Sequence, residues 1–183
     1  MFTGIVQAVG RIVRTSPFEV DGGALDLSDV AVGDSICVQG ACLTVTSLTG
    51  RGFTADVSAE TLRVTAGLDR TGPVNLEKSL AMGDPLGGHL VTGHVDGVGE
   101  VVRREGGVVA FRLPADLKKY VARKGSVCVD GVSLTVNHAE ADVFEVNLIP
   151  HTLHVTTLGR LAPGVRVNVE VDLIARYVER MLA

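Results

Sequence analysis

The chain has few aromatic residues and few positive charges, and its 183 residues include no tryptophan. Two tyrosines and five phenylalanines offer little surface on which the bases of a single-stranded nucleic acid could stack. The 17 Lys and Arg residues are outnumbered by 21 Asp and Glu residues, which gives a net charge of -4. Nucleic acids and anionic membrane surfaces are therefore not expected as main partners.

Long apolar runs and a recognisable signal peptide are also absent. No stretch approaches the roughly 18 apolar residues that a membrane-spanning helix needs. Three cysteines, an odd number, suit a reducing compartment better than a disulfide framework. We therefore expect a cytoplasmic protein without membrane contact, and 46% apolar residues with 22 glycines indicate a globular fold of short strands and turns.

The sequence does contain a long internal repeat. The segment 35–45, SICVQGACLTV, returns as 126–136, SVCVDGVSLTV, with seven of eleven positions identical. Three further blocks return in the same order about 90 residues later, which indicates two copies of one domain rather than a solenoid of shorter units. These blocks are 3–10 with 92–99, 53–65 with 144–156, and 74–77 with 167–170.

Each half is predicted to form a small antiparallel barrel. Short β-type runs recur every eight to twelve residues, and hardly any segment has helical periodicity. The residue pair Gln39-Gly40 and its counterpart Asp130-Gly131 predict a hairpin or a bulge. A Gly- and Pro-rich stretch at 83–88 indicates the boundary. The predicted domains are residues 1–86, residues 87–172 and a C-terminal oligomerisation helix at 173–183.

Two helices are predicted in the second half. One is a short candidate at 115–123, which follows a proline. The other begins after Asp172, a favourable N-cap, and carries an apolar stripe. A helix of about eleven residues is marginal alone in water, so this stripe must pack on another subunit or on its own barrel. The stripe and its flank contain Leu173, Ile174, Tyr177, Val178, Met181 and Leu182.

Strand alternation predicts which side chains face outwards. In the first repeat Leu43 and Val45 point one way, while Cys42 and Thr44 point the other. If the Leu and Val side chains fill a barrel, the thiol and hydroxyl groups lie on its outer wall. The same holds in the second repeat, where Ser133 and Thr135 lie opposite Leu134 and Val136. A ligand would then bind between barrels, unless these are ordinary solvated side chains.

Taken together, the repeated motifs resemble the riboflavin synthase family of the alpha-chain type. The resemblance spans the whole chain, and the motifs are specific as an ordered set. The matching motifs are MFTGIV at 1–6, GACLTV at 40–45, ETLR at 60–63, GGHLVTGH at 87–94, DGVSLTV at 130–136, IPHTL at 149–153 and VNVEVD at 167–172.

The resemblance implies an all-β fold of two similar six-stranded antiparallel Greek-key barrels in tandem with a short C-terminal α-helix, assembled as a homotrimer. Members of the family dismutate two molecules of 6,7-dimethyl-8-ribityllumazine into riboflavin and 5-amino-6-ribitylaminouracil, without metal or organic cofactor. One lumazine sits on each barrel, and the active site forms between the N-terminal barrel of one subunit and the C-terminal barrel of its neighbour. A duplicated fold can hold two identical substrates face to face, which can be worth effective molarities on the order of 10⁵ M.

The two lumazines play unequal parts, so the resemblance also implies unequal sites. Proton transfer is expected from His94, because an imidazole titrates near neutrality. Ser133 and Thr135 would bind the donor ring, Cys42 and Ser35 would serve the acceptor, and Asp172 would orient one of these groups. The residues expected to bind substrate are Phe2, Gly4, Ile5, Val6, Cys42, Leu43, Thr44, Asp56, Val57, Ser58, Ala59, Glu60, Thr61, Gly93, His94, Val95, Lys124, Ser133, Leu134, Thr135, Asn147, Leu148, Ile149, Pro150, His151 and Thr152.

Plainer interpretations exist for several of these residues. Cys42 is explained equally by a small buried apolar side chain, His94 by a strand surface residue, and Asp172 by a helix cap. The remaining histidines lack the spacing of metal ligands, so no zinc site is expected. Those histidines are His89, His138, His151 and His154.

Two other functions compete with the enzyme. A lumazine- or flavin-binding antenna protein on the same fold would bind without turnover, and a barrel adaptor would bind no small ligand. The chain is short for the family, with a reduced segment at 14–32 and a helix that stops at Ala183, which predicts a weaker trimer. An association with lumazine synthase, the enzyme that supplies the substrate, stays open.

Overall fold

The structure, a computed structural model, describes residues 1–182, so Ala183 of the predicted C-terminal segment lies outside it. The first half contains six strands: β1 (Ala8–Thr15), β2 (Phe18–Asp21), β3 (Ser35–Val38), β4 (Ala41–Leu48), β5 (Gly52–Ala55) and β6 (Gly72–Lys78). They close into an antiparallel barrel in the order β1-β2-β5-β4-β3-β6. The consecutive strands β3 to β5 return beside β2, which is a Greek-key connection.

The second half repeats this arrangement with one strand interrupted. Its strands are β7 (Gly97–Glu105), β8 (Val108–Arg112), β9 (Ser126–Val129), β10 (Val132–Thr135), β11 (His138–Glu140), β12 (Val143–Asn147) and β13 (Arg166–Val171). Their order is β10-β9-β13-β7-β8-β12-β11. Strands β10 and β11 are two pieces of one strand, broken where β4 has a bulge between Val45 and Ser47. Counted as one, they give six strands in the order of the first barrel, and the predicted all-β tandem fold is confirmed.

Both barrels contain the predicted hairpin at the same place. Gln39 and Gly40 have φ values of 50° and 91°, and Asp130 and Gly131 have values of 50° and 81°. Two consecutive left-handed residues form the type I′ turn, whose twist matches that of the flanking strands. The turn fixes the pairing of Cys37 with Cys42, and its counterpart pairs Cys128 with Ser133.

The predicted alternation of side chains is confirmed in both repeats. Leu43 and Val45 are buried inside the first barrel, whereas Thr44 on the same strand is exposed. Leu134 is likewise buried inside the second barrel, and Thr135 is exposed. Each barrel has its own apolar core, and burial of each Val or Leu side chain contributes about 1.5–3 kcal/mol.

Two short helices were not expected from the sequence. They are α1 (Ala59–Val64) and α2 (Pro150–Val155), one in each half at equivalent places. Six residues are too few for apolar periodicity to appear, and local capping defines them instead. The Ser58 hydroxyl accepts the backbone N–H of Thr61 at 3.0 Å, and Pro150 occupies the first turn of α2. The predicted helix at 115–123 is wrong in extent, because only Lys118–Tyr120 forms a 3-10 turn.

The C-terminal helix α3 (Leu173–Leu182) forms as predicted, with its polar side on its own barrel. Arg176 pairs with Asp96, and Glu179 pairs with Lys119 and accepts a hydrogen bond from Tyr120. The apolar side points away from the barrel, and its exposed residues are Ile174, Tyr177, Val178, Met181 and Leu182.

Among residues 1–182, none of the helices combines the length and the apolar character needed to cross a membrane.

Candidate active site

Two short segments exchange places between the barrels. We call residues 2–6 the first arm and residues 91–95 the second arm. The arms meet in an antiparallel bridge, in which the Phe2 N–H donates to the Val91 carbonyl at 2.7 Å and the Val91 N–H donates back at 3.1 Å. Val6 then packs against the core of the second barrel, and Val95 against the core of the first. Each outer wall is therefore built from both halves of the chain.

Each arm bonds to the strand that carries the predicted site residues. The Gly4 carbonyl accepts the Ser133 N–H at 2.8 Å, and the Gly93 carbonyl accepts the Cys42 N–H at 2.8 Å. Gly4 has φ +76°, and a Cβ there would lie 2.6 Å from the Ser133 nitrogen. Glycine is required at this place because any side chain would push the arm off the strand.

A buried carboxylate fixes each arm. Glu77 accepts the Thr3 N–H at 2.7 Å, the Thr3 hydroxyl at 2.9 Å and the Gly4 N–H at 3.0 Å. Glu170 accepts the equivalent three bonds from the second arm, at 2.7, 2.7 and 2.9 Å. Burial raises the pKa of Glu77, and the hydrogen bonds from Thr3 and Gly4 oppose that shift. The arms are thus held by matched, fully engaged acceptors.

The first arrangement of predicted residues, which we call the first seat, lies on the outer wall of the first barrel. Ser35 pairs with Thr44 across the hairpin, and Cys42 is half-buried on the same face. Residues 56–61 follow β5 towards the first half of β4, since the two strands are antiparallel and Val45 pairs with Ala55 at the end of β5. The second arm adds His94, whose side chain is exposed. The backbone N–H of His94 donates to the Thr92 hydroxyl at 3.3 Å.

The second seat occupies the equivalent wall of the second barrel. Ser133 is half-buried and Thr135 is exposed on β10, and residues 147–152 run from the end of β12 into α2. The first arm adds Ile5, which is 50% exposed, and Ile149 on the segment 147–152 is 56% exposed. Lys124 is also exposed, and its N–H donates to the Val136 carbonyl at 2.7 Å. Exposed apolar side chains beside hydroxyl groups suit a flat aromatic ligand with polar edges.

Some predicted side chains near the seats are buried or take part in local structure. The Phe2 side chain is fully buried between the barrels with Cys37 and Cys128. Asp172 caps α3, because its carboxylate accepts the Ile174 N–H at 2.9 Å. Three leucines point into the barrel cores, so they can meet a ligand on the wall only through their backbone: Leu43, Leu134 and Leu148.

Matching hollows lie beside the two arms. One, of about 330 Å³, is lined by His94, Asp96 and Glu170, together with Arg176 of α3. The other, of about 370 Å³, is lined by the equivalent positions of the first arm, including Ile5. The exchange of His94 for Ile5 makes two similar spaces chemically different.

The structure also reveals polar residues that the sequence interpretation did not select. Asn75 donates from its side chain to the Asp130 carbonyl at 2.8 Å, and Asn168 donates to the Gln39 carbonyl at 2.9 Å. Each asparagine therefore bonds to the hairpin turn of the other barrel. The two bonds are reciprocal, as the contacts of the two arms are. The repeated motif V-N-x-E, at 74–77 and 167–170, was the signal that could have identified both asparagines and both carboxylates. A further residue, His89, contacts Ser133 and has no counterpart in the repeated blocks.

Fold and seats together define a protein with two lumazine binding domains. The family model described as "Lumazine binding domain" matches residues 3–79 and again residues 92–172. Among solved structures, LumP complexed with riboflavin aligns with a TM-score of 0.83 and LumP complexed with 6,7-dimethyl-8-(1'-D-ribityl) lumazine with 0.79. Both are 27% identical and cover 93% of this chain and 99% of LumP.

Comparison with curated relatives identifies the family within this class of lumazine-binding proteins. Riboflavin synthase of Mycobacterium tuberculosis is 48% identical, covering 100% of this chain and 98% of the relative. Riboflavin synthases of Photobacterium phosphoreum and Bacillus subtilis are 47% and 41% identical, covering 100% of this chain and 89% and 90% of the relatives. The chain belongs to the riboflavin synthase family.

Proposed function

We propose that the chain is a riboflavin synthase, which converts two molecules of 6,7-dimethyl-8-ribityllumazine into riboflavin and 5-amino-6-ribitylaminouracil, the last step of riboflavin biosynthesis. Identity of 40–48% to curated riboflavin synthases over essentially the whole chain carries this proposal. The paired walls give a physical reason, since dismutation needs two copies of one substrate held together in unlike surroundings.

The proposed roles of the site residues follow the chemistry of that reaction. A proton must leave the 7-methyl group of one lumazine. We propose that His94 takes this proton, because its imidazole is exposed beside the first seat. Ser133 and Thr135 are proposed to hold the donor lumazine, while Cys42 and Ser35 hold the acceptor. Asp172 is proposed to orient one of these groups through its place at the start of α3.

Substitution tests these roles directly. His94→Ala and Ser133→Ala should each lower kcat at least about tenfold, equivalent to 1.4 kcal/mol, while the assembly stays intact. A tenfold loss is the least that removal of a proton acceptor or of a donor-site hydroxyl should cause. The measurement is steady-state riboflavin formation with sedimentation of each variant. Unchanged turnover in both variants would remove the proposed roles.

We propose a homotrimer held by the exposed side of α3. The polar side of this helix is already engaged with its own barrel, so the apolar side is left for another copy of the chain. In the trimer, the first seat of one subunit would face the second seat of its neighbour. A cytoplasmic location is proposed from the three free cysteines, and association with lumazine synthase can be tested by co-sedimentation.

The second candidate is a non-catalytic antenna, favoured by the similarity to LumP. Incubation of the pure protein with the lumazine separates the two functions, because an antenna binds the ligand and shifts its fluorescence without forming riboflavin. An adaptor without a small ligand would do neither. We expect riboflavin to accumulate, as followed by its absorbance.

A further inference from the structure

His89 lies in the linker between the barrels, close to the second seat. Its side chain is 8% exposed, and its Nδ1 lies 2.7 Å from the Ser133 hydroxyl oxygen. Its backbone N–H donates to the Thr3 carbonyl at 3.1 Å, so the linker is fastened to the first arm. His89 therefore touches the seat's central hydroxyl from inside the protein rather than from solvent.

The other ring nitrogen of His89 is unsatisfied. Within residues 1–182, Nε2 is buried and has no hydrogen-bond partner. A buried polar atom left unpaired costs about 1–3 kcal/mol, and such atoms are concentrated where a structure serves function. Burial lowers the pKa of His89, and the carboxylate of Asp172 opposes that shift. The imidazole is thus neutral near pH 7, with one nitrogen that can only accept and one that can only donate.

The first seat has nothing equivalent. Cys42 occupies the position of Ser133, and none of the described histidines forms a hydrogen bond to its thiol. The second seat, by contrast, places Nδ1 of His89 2.7 Å from the Ser133 hydroxyl oxygen. The difference between the seats is therefore larger than the exchange of oxygen for sulfur.

We propose that His89 is a positioning residue of the second seat: its Nδ1 accepts the Ser133 O–H and thereby turns the oxygen lone pairs of Ser133 towards the bound lumazine. The proposal rests on the proposed function, since the orientation of this hydroxyl matters only if lumazine binds there. His89 acts through Ser133 and not on the substrate itself.

Kinetics of four variants and one control variant test this role. His89→Leu and Ser133→Ala should each lower kcat for the lumazine at least tenfold, and the double variant should be no slower than the slower single variant. Residues that act as one unit give such non-additive losses. His89→Asn should recover most of the loss, because its amide oxygen can accept the hydroxyl where Nδ1 did. His138→Leu, at an exposed histidine outside the seats, is the control and should leave kcat unchanged.

The outcomes distinguish this inference from the function on which it rests. Full kcat in His89→Leu, additive losses in the double variant, or no recovery in His89→Asn would overturn the positioning role. A wild-type protein that forms no riboflavin would instead overturn the proposed function. Circular dichroism of each variant reports whether a loss of turnover reflects a loss of fold.

A second measurement needs no substitution of His89. Long-range ¹H–¹⁵N correlation spectra of the wild-type protein at pH 7 should contain one neutral imidazole protonated at Nε2, whose Nδ1 shift changes in Ser133→Ala. A protonated ring, a ring protonated at Nδ1, or no response to Ser133→Ala would contradict the proposal even if every kinetic variant were unstable.

Discussion

At the scale of single residues, Asp130 carries an electrostatic cost at the junction between the barrels. Its carboxyl is buried at the hairpin turn, and this burial raises its pKa to about 7 from the ordinary 3.8, against the hydrogen bond from the Asn168 N–H. The counterpart Gln39 accepts the Asn75 N–H at 2.8 Å with a neutral amide. A neutral side chain can therefore fill this role without a charge to bury.

Asp130→Asn should stabilise the protein in a pH-dependent way. Because the pKa of Asp130 is raised in the folded state, its carboxyl ionises only in the unfolded state between about pH 4 and about pH 7. The free energy of unfolding of the wild type therefore falls progressively as pH rises through this range. The variant should gain little at pH 4 and about 2–4 kcal/mol above pH 7. Urea unfolding at pH 4.5, 6 and 8 measures this, and a gain that is independent of pH would contradict the assignment.

At the scale of elements, each arm crosses from its own half of the chain to the outer wall of the other barrel. Gly93 has φ +78°, and a Cβ at this position would lie 2.6 Å from the Cβ of Cys42. Gly67 has a similar φ of +88°, but open space lies around it. Alanine substitutions at these two glycines therefore distinguish the cost of backbone strain, which both share, from the cost of displacing the arm, which arises only at Gly93.

Gly67→Ala should cost about 1 kcal/mol, the strain of a left-handed residue with a side chain. Gly93→Ala should cost at least about 2 kcal/mol more, because the arm must leave β4. Thermal unfolding of both variants measures the difference. Equal costs would show that the second arm does not pack as described.

The helix α3 allows a second prediction at this scale. A double variant, Ile174→Asp with Val178→Asp, places two charges on its exposed apolar side. We expect the association constant of the proposed trimer to fall at least tenfold in this variant. Arg180→Ser, on the same helix, is the matched control and should sediment like the wild type. Dissociation in neither variant would place the subunit contact elsewhere.

Sequence patterns predicted some elements of this structure and not others, for physical reasons. Alternation placed Leu43 inside and Thr44 outside because a strand has only two faces. Periodicity could not find α1, since its six residues depend on the cap at Ser58 rather than on an apolar stripe. The bond between Gly4 and Ser133 has no local signal, because it depends on how two distant segments pack. His89 was given no site role, because it lies outside the repeated blocks and lacks the spacing of a metal ligand.

At the scale of the whole molecule, one fold used twice produces two similar walls with different chemistry. The carboxylates Glu77 and Glu170 hold the arms identically, whereas His94 replaces Ile5 and Ser133 replaces Cys42 at the surfaces that they position. The shared groups fix geometry, and the differing groups are proposed to give two identical ligands unequal surroundings. This division is what a dismutation of one compound requires.

We propose that the chain uses two unlike seats to turn two lumazines into one riboflavin. The decisive measurement is the amount of lumazine consumed and of riboflavin formed in one reaction with no other substrate present. We expect two lumazines to disappear for each riboflavin that appears. Lumazine that binds but persists, with no riboflavin formed, would contradict it.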